Sequence, residues 1–341
     1  MERSRERARP FVELSAGDWY RFTGDALQGA RVVAATPLRS GLRNNNYRLD
    51  FASGASVVLR FYVADPGACA REAAVLAAVA GRVPAPRVLQ TDAAAMPPFA
   101  LLEWLDGRPL DAVLGKVGPV AAEDLAAACG AALARIHEIR FPSAGFLGPE
   151  LRVIQPMPAW ATAVLEALAG RVEDRLGPEL CARVRSTVES NAGQVASVWS
   201  EAVLVHADFK ASNLLVRKLV REGAEPSAVA GRPAGRDQAD RRAAKDAGRW
   251  DLAGVLDWEF ACAGCKLIDF ATFLRDEGSR PSGFADAFAA AYCAAGGAMP
   301  ANWRRLTRLI DLLNLLQLLA WADDGAAGGL RKLVAETVAG A

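Results

Sequence analysis

Lysine is scarce in this chain. Only Lys116, Lys210, Lys218, Lys245, Lys266 and Lys332 occur among 40 basic residues, the rest being arginine. With abundant alanine, that skew reflects genomic base composition rather than function. A dominant charge of one sign is also missing: the net charge of +1 excludes bulk electrostatic attraction to nucleic acid or to an anionic membrane. There is no long hydrophobic run. The most apolar stretch, Leu309 to Trp321, is interrupted by Asp311, Asn314 and Gln317 and is too short to span a bilayer. No apolar segment follows the charged start Met1 to Pro10, which excludes a secretory signal and points to the cytoplasm. Cysteine lacks the pairing of a metal site: Cys69, Cys129, Cys181, Cys262, Cys265 and Cys293 are scattered and read as reduced thiols. Cys262 and Cys265 have the spacing of half a zinc or redox site, but no second pair or histidine lies nearby, so they read as two loop cysteines.

What remains is a composition with 52% hydrophobic and 23% charged residues over 341 positions, enough for two ordinary domains or one large bilobal one. Strand signals come first, at Ala30–Ala35, Asn46–Phe51 and Ser56–Val63, the last two joined by a short Gly54-bearing hairpin. Tyr47, Leu49 and Phe51 alternate with Arg48 and Asp50, as in strands with one buried face. The preceding link carries Gly41, Asn44 and Asn45. These residues tolerate positive φ and expose backbone N–H groups that suit a phosphate-covering turn, and they suit an ordinary hairpin equally well. Neither a Walker loop nor Gly-x-Gly-x-x-Gly is present. Val58 and Arg60 share a strand face, and Asp65-Pro66 opens a helix bearing Glu72, Val75, Leu76 and Val79. Arg60 and Glu72 suit the ion pair that positions nucleotide phosphates, or a plain surface pair. A further strand, Phe99–Leu105, ends at Asp106-Gly107.

From there the pattern is mostly helical: Ala121–Ile139, then about Ala159–Leu176 and Pro178–Trp199 after a linker at Pro149–Pro158. Two apolar, strand-like runs then bracket His206-Ala207-Asp208-Phe209-Lys210-Ala211-Ser212-Asn213, a loop held rigidly between buried strands. Residues 218–249 are rich in Arg, Ala and Gly without an apolar period and read as a mobile insertion. The strand Leu252–Phe260 carries Asp257, a carboxylate placed to hold Mg²⁺, and Asp269 begins an apolar helix in which it must find donors.

His-x-Asp-x-x-x-x-Asn, preceded by strand cation, helix Glu and hinge strand and followed by strand-Asp-Trp-Glu, resembles the aminoglycoside phosphotransferase-like family, relatives of the protein kinases. The resemblance covers residues 30 to 325. It implies an α+β bilobal protein-kinase-like fold, with a nucleotide-binding lobe over 1–105 and a catalytic lobe over 106–341. It also implies an ATP- and Mg²⁺-dependent kinase of a small-molecule hydroxyl, monomeric or homodimeric, without nucleic-acid or membrane partners. Asp208 then matches the catalytic base, Asn213 and Asp257 the metal ligands, and Glu72 the helix partner of the strand cation. Glu103 and Leu105 match the adenine-holding hinge, and Asp269 the brace of the catalytic loop. In three places the chain departs from the family pattern. Arg60 replaces the usual lysine, and no lysine precedes Lys116 to substitute for it. Lys210 stands where histidine is commoner and adds a cation for the transferring phosphoryl group. Cys265-Lys266 replaces Asp-Pro. A nucleotide-binding pseudokinase is the alternative, resting on Arg60. A protein kinase ranks last, for no Ala-Pro-Glu segment follows Glu259.

Overall fold

Side-chain alternation decides how the first lobe is layered. The computed structural model describes residues 12–13, 19–23, 30–39, 43–219 and 250–340. Strands β1 (Val32–Leu38), β2 (Asn45–Phe51), β3 (Ser56–Phe61), β4 (Val88–Asp92) and β5 (Phe99–Glu103) form one antiparallel sheet in the order β1-β2-β3-β5-β4. Successive side chains point to opposite faces. Tyr47, Leu49, Phe51, Val57, Leu59 and Phe61 therefore gather on one face, where Phe22 of α1 (Trp19–Thr23) joins them. Tyr62, Ala100 and Leu102 instead share a core with Leu76 and Val79 of α2 (Ala68–Val79). The Asp65 carboxylate accepts the Gly67 N–H at 3.1 Å, closing the turn that leads into this helix.

Past Glu103 the chain builds a larger, mainly helical lobe from α3 (Asp111–Leu114), α4 (Pro119–His137), α5 (Trp160–Ala167), α6 (Arg171–Leu176), α7 (Pro178–Trp199), α8 (Leu267–Leu274), α9 (Phe284–Ala294), α10 (Trp303–Trp321) and α11 (Asp324–Ala339). Two small sheets are set into it. One runs β11-β10-β6, from β6 (Arg108–Pro109), β10 (Leu214–Lys218) and β11 (Trp250–Val255); the other runs β8-β7-β12-β9, from β7 (Gly145–Leu147), β8 (Val153–Pro156), β9 (Val203–Val205) and β12 (Cys262–Gly264). This is the two-lobed α+β architecture expected. No helix among the described residues is long and apolar enough to cross a membrane.

Local departures have local causes. The single helical segment expected over Ala159–Leu176 is split, because Gly170 adopts φ +63° between α5 and α6. The linker expected at Pro149–Pro158 contains the edge strand β8. The strand expected to run to Phe260 stops at Val255, since Asp257 takes φ +68°. Of the insertion at 218–249, Lys218 closes β10, and residues 220–249 lie outside the described residues.

The second lobe depends on close approach of α4 to α9. A Cβ on Gly130 would lie 2.1 Å from the Phe288 carbonyl oxygen. Alanine is the better helix former by about 1 kcal/mol, yet overpacking against a backbone costs about 1–3 kcal/mol. Gly130→Ala is expected to lower the urea midpoint, and an unchanged or raised midpoint would show that these helices separate freely.

Candidate active site

The loop between β9 and β10 is pinned at both ends by strand pairing, Val205 with Cys262 and Leu214 with Val255. Between them lie residues 206–210 and a single 3₁₀ turn, Ala211–Asn213. Asp269, fully buried at the start of α8, accepts the His206 N–H at 2.9 Å and the Ala207 N–H at 2.8 Å. Its carboxylate also meets His137 Nε2 at 3.1 Å, and His137 Nδ1 meets the Tyr292 hydroxyl at 2.9 Å. A buried carboxylate needs such partners, and here they fix Ala207 at φ +64°, a strained conformation for alanine. His206 Nδ1 accepts the Asp208 N–H at 3.3 Å, so its Nε2–H donates to the Leu256 carbonyl at 3.0 Å. The Leu256 N–H in turn donates to the Asn213 carbonyl at 2.9 Å, tying the loop to the segment that carries Asp257.

On this frame Asp208 turns its carboxylate into the cleft between the lobes. Oδ2 accepts from Lys210 Nζ and from Asn213 Nδ2, each at 2.8 Å. Asn213 Nδ2 also reaches the Asp208 carbonyl at 3.0 Å, which leaves the amide oxygen of Asn213 as its uncommitted donor atom toward a cation. Opposite stands Arg60, only 6% exposed. Its Nε lies 3.2 Å from Glu72 Oε2, and its Nη2 pairs with Asp257 Oδ1 and lies 3.7 Å from Glu259 Oε1. Glu72 is held further by the Tyr62 hydroxyl at 2.6 Å and the Trp258 N–H at 2.9 Å. Asn44 Nδ2 donates to Glu259 Oε2 at 2.8 Å, and Arg71 Nη2 donates to the Glu259 carbonyl at 2.9 Å.

Charge sets the local acidities. Burial lowers the Arg60 pKa, but Glu72 and Asp257 outweigh it and hold that pKa well above the usual value. Burial likewise raises the Asp257 carboxyl, and the Arg60 charge and hydrogen bond overcome this to keep it low. Glu259 is pushed up to about 7, first by burial and then by the negative charge of Asp257.

Most of the residues singled out from the sequence converge. Asn44, Val58, Arg60, Glu72, Glu103, Leu105, Asp208, Lys210, Asn213 and Asp257 all line one cleft of about 2480 Å³. Asn45 does not: it begins β2 on the face shared by Tyr47 and Leu49, and its Oδ1 accepts the Val12 N–H. Asn46 lines the cleft instead. Gly41 lies outside the described residues. Glu259, Tyr62 and Arg71 were given no role from the sequence. Strand parity marks Tyr62, two residues beyond Arg60 as Arg60 is beyond Val58, while Glu259 stood unused inside Asp257-Trp258-Glu259. Among the described residues no cluster of three His, Cys, Asp or Glu is arranged to hold a metal. The Asp257 carboxylate and the Asn213 side-chain amide oxygen offer instead the sparse all-oxygen donor set that fits Mg²⁺ when phosphate oxygens complete its shell.

The profile of the phosphotransferase enzyme family matches residues 34–229. No protein of curated function matches the chain significantly in sequence. Among solved structures, the chain resembles a candidate fructosamine-3-kinase from Thermobifida fusca YX-ER1 with a TM-score of 0.62 at 20% identity, covering 96% of this chain and 99% of that one. It resembles a thermostable mutant of aminoglycoside phosphotransferase APH(4)-Ia, in ternary complex with ADP and hygromycin B, with a TM-score of 0.63 at 16% identity, covering 95% and 98%. For APH(2")-IIia in complex with GDP and kanamycin the TM-score is 0.66 at 16% identity, covering 94% and 98%. At these identities the likeness is one of fold.

Glu259 makes the folded chain sensitive to pH. Its folded pKa lies above the ordinary 4.5, so the folded state binds this proton more tightly than the unfolded chain, and stability falls as pH rises from about 4.5 to about 7. Glutamine cannot ionise and can still accept from Asn44. In chelator-containing buffer, Glu259→Gln is expected to melt above wild type at about pH 8, with the gap closing below about pH 5. A gap independent of pH would show that Glu259 ionises normally.

Proposed function

The chain belongs to the phosphotransferase enzyme family, and on that premise we propose that it transfers the γ-phosphoryl group of ATP to a hydroxyl of a small molecule with Mg²⁺. The observation that carries this reading is the convergence of Asp208, Lys210, Asn213, Asp257 and Arg60 on one interlobe cleft. Phosphoryl transfer needs positioning and charge neutralisation more than covalent help, and this set supplies both.

The N-terminal lobe, through Leu105, holds the nucleotide. Adenine lies against the segment Glu103–Leu105, where the chain leaves β5, with Val58 and Leu102 lining the cleft beside it. Arg60, steadied by Glu72, meets the phosphates with a guanidinium fork. The Asp257 carboxylate and the Asn213 side-chain amide oxygen would hold Mg²⁺, which when bound neutralises charge on the phosphates. From the lobe that begins at residue 106, Asp208 orients the acceptor hydroxyl and receives its proton. As the acceptor oxygen bonds to the γ-phosphorus, the bond from that phosphorus to the β–γ bridging oxygen breaks and ADP leaves. Lys210, 2.8 Å from Asp208, lies close enough to counter charge on the group in flight.

Fructosamine, hygromycin B and kanamycin are named for the similar structures, so the fold accommodates sugars and amines of several shapes. The test is ATP consumption against a library of hydroxyl compounds. Asp208→Asn is expected to lower kcat about 10²–10⁴-fold on whichever acceptor responds, with nucleotide affinity nearly unchanged. Undiminished turnover in Asp208→Asn or Asp257→Ala removes the mechanism. A chain that binds nucleotide but consumes none with any acceptor is a pseudokinase.

A further inference from the structure

On the proposed reading the acceptor must reach Asp208 from the side of the cleft built by β7, α8, α10 and α11. That side has little free negative charge. Arg275 holds Asp311 at two points, Nε to Oδ2 at 2.9 Å and Nη2 to Oδ1 at 2.6 Å, with both side chains largely buried. Asp323 caps α11, accepting the Ala326 N–H at 2.8 Å. Asp208 is already paired with Lys210. Asp276 lines the same side, and no hydrogen bond or ion pair of its carboxylate is formed among the described residues.

Apolar surface takes the place of charge. Trp321 lines the cleft at 88% exposure and Leu318 at 41%, from the last turn of α10. Leu313 and Leu330 continue the wall, and Phe146 of β7, 45% exposed, adds a second aromatic. Large side chains left open along a concave surface mark a place where an apolar body is received. An acceptor with several ammonium groups would lose water from each of them and find only Asp276 wholly free and Asp323 with one oxygen already on the Ala326 N–H, a costly exchange.

We infer that the acceptor is a bulky alcohol with a continuous apolar face and no more than one ammonium group, and not a polyamino sugar. Its apolar face lies on Trp321, Leu318 and Leu330, its ammonium, where present, meets Asp276, and its hydroxyl points to Asp208. This inference rests on the phosphotransfer reading for the direction of entry alone.

Equilibrium binding tests it without turnover. The full chain is titrated with erythromycin, a macrolide with one amine, with a neutral steroid alcohol, and with kanamycin, by calorimetry and tryptophan fluorescence. Binding of erythromycin or the steroid alcohol at least about tenfold tighter than kanamycin is expected. Trp321→Ala, at an exposed position, should weaken it by about tenfold while ADP binding is unchanged. Asp276→Asn should weaken erythromycin and spare the neutral alcohol. Tighter binding of kanamycin, indifference to Trp321→Ala, or failure of both apolar probes to bind overturns the inference. A chain that binds erythromycin through Trp321 but consumes no ATP supports the acceptor class and removes the phosphotransfer reading.

Discussion

A single buried cation holds the two lobes in register. Arg60 leaves β3 with almost no solvent contact and faces Glu72, Asp257 and Glu259, which come from α2 and from the turn after β11. Burying an isolated guanidinium is prohibitive, so the arginine demands these acids, and the acids in turn demand it. One positive charge cannot satisfy three carboxylates. The surplus is absorbed where it costs least, at Glu259, whose pKa climbs to about 7 and which takes a hydrogen bond from Asn44. The cleft side of the contact between lobes is thus polar, and behind it one apolar core runs from Leu76, Val79 and Leu102 of the first lobe to Leu252 and Val255 of the second.

A second carboxylate does comparable work inside the larger lobe. Asp269 binds the backbone of His206 and Ala207 and reaches His137 at the end of α4. Strain at Ala207 is stored where Asp269 can hold it, which aims Asp208 into the cleft. Asp257, also at positive φ, is held from outside by Arg60, and Glu72 fixes the next residue through the Trp258 N–H. Asp257 itself and the residue before Asp208 therefore sit on strained backbone braced by a buried partner. Loop chemistry placed on such supports keeps its geometry without a ligand.

How much of this was legible follows from what alternation and punctuation can encode. Tyr47, Leu49 and Phe51 announce their shared face because burial repeats every second residue. Gly177-Pro178 marks the start of α7, and the helix runs to Trp199 as read. Strands β4 and β8 contain no buried residue and β7 has only three residues, so no apolar pattern registers there. Asn44, Asn45 and Asn46 look alike in sequence, yet once β2 begins at Asn45 parity turns that residue to the core face and its neighbours to the cleft. Leu256-Asp257-Trp258 does not single out a left-handed residue, since aspartate is enriched in that conformation yet adopts it in only a minority of cases. The side of the cleft lined by α8, α10 and α11 was the least legible part. The acids and arginines after residue 270 could be counted, but only the fold shows that Arg275 is spent on Asp311 and Arg304 on Glu277 and Asp286.

The exchange of lysine for arginine at position 60 gains a physical meaning in this setting. An ammonium is a compact point charge, whereas a guanidinium spreads its donors across a rigid fork. Arg60 uses that fork to address Glu72 with Nε and Asp257 with Nη2 at once, a span joining helix and turn. A phosphate arriving in the cleft offers the same planar fork a competing anion. On the proposed reading, nucleotide entry and release of Asp257 from Arg60 become one event. The carboxylate that would hold the metal is then freed when phosphate oxygens are present to share it.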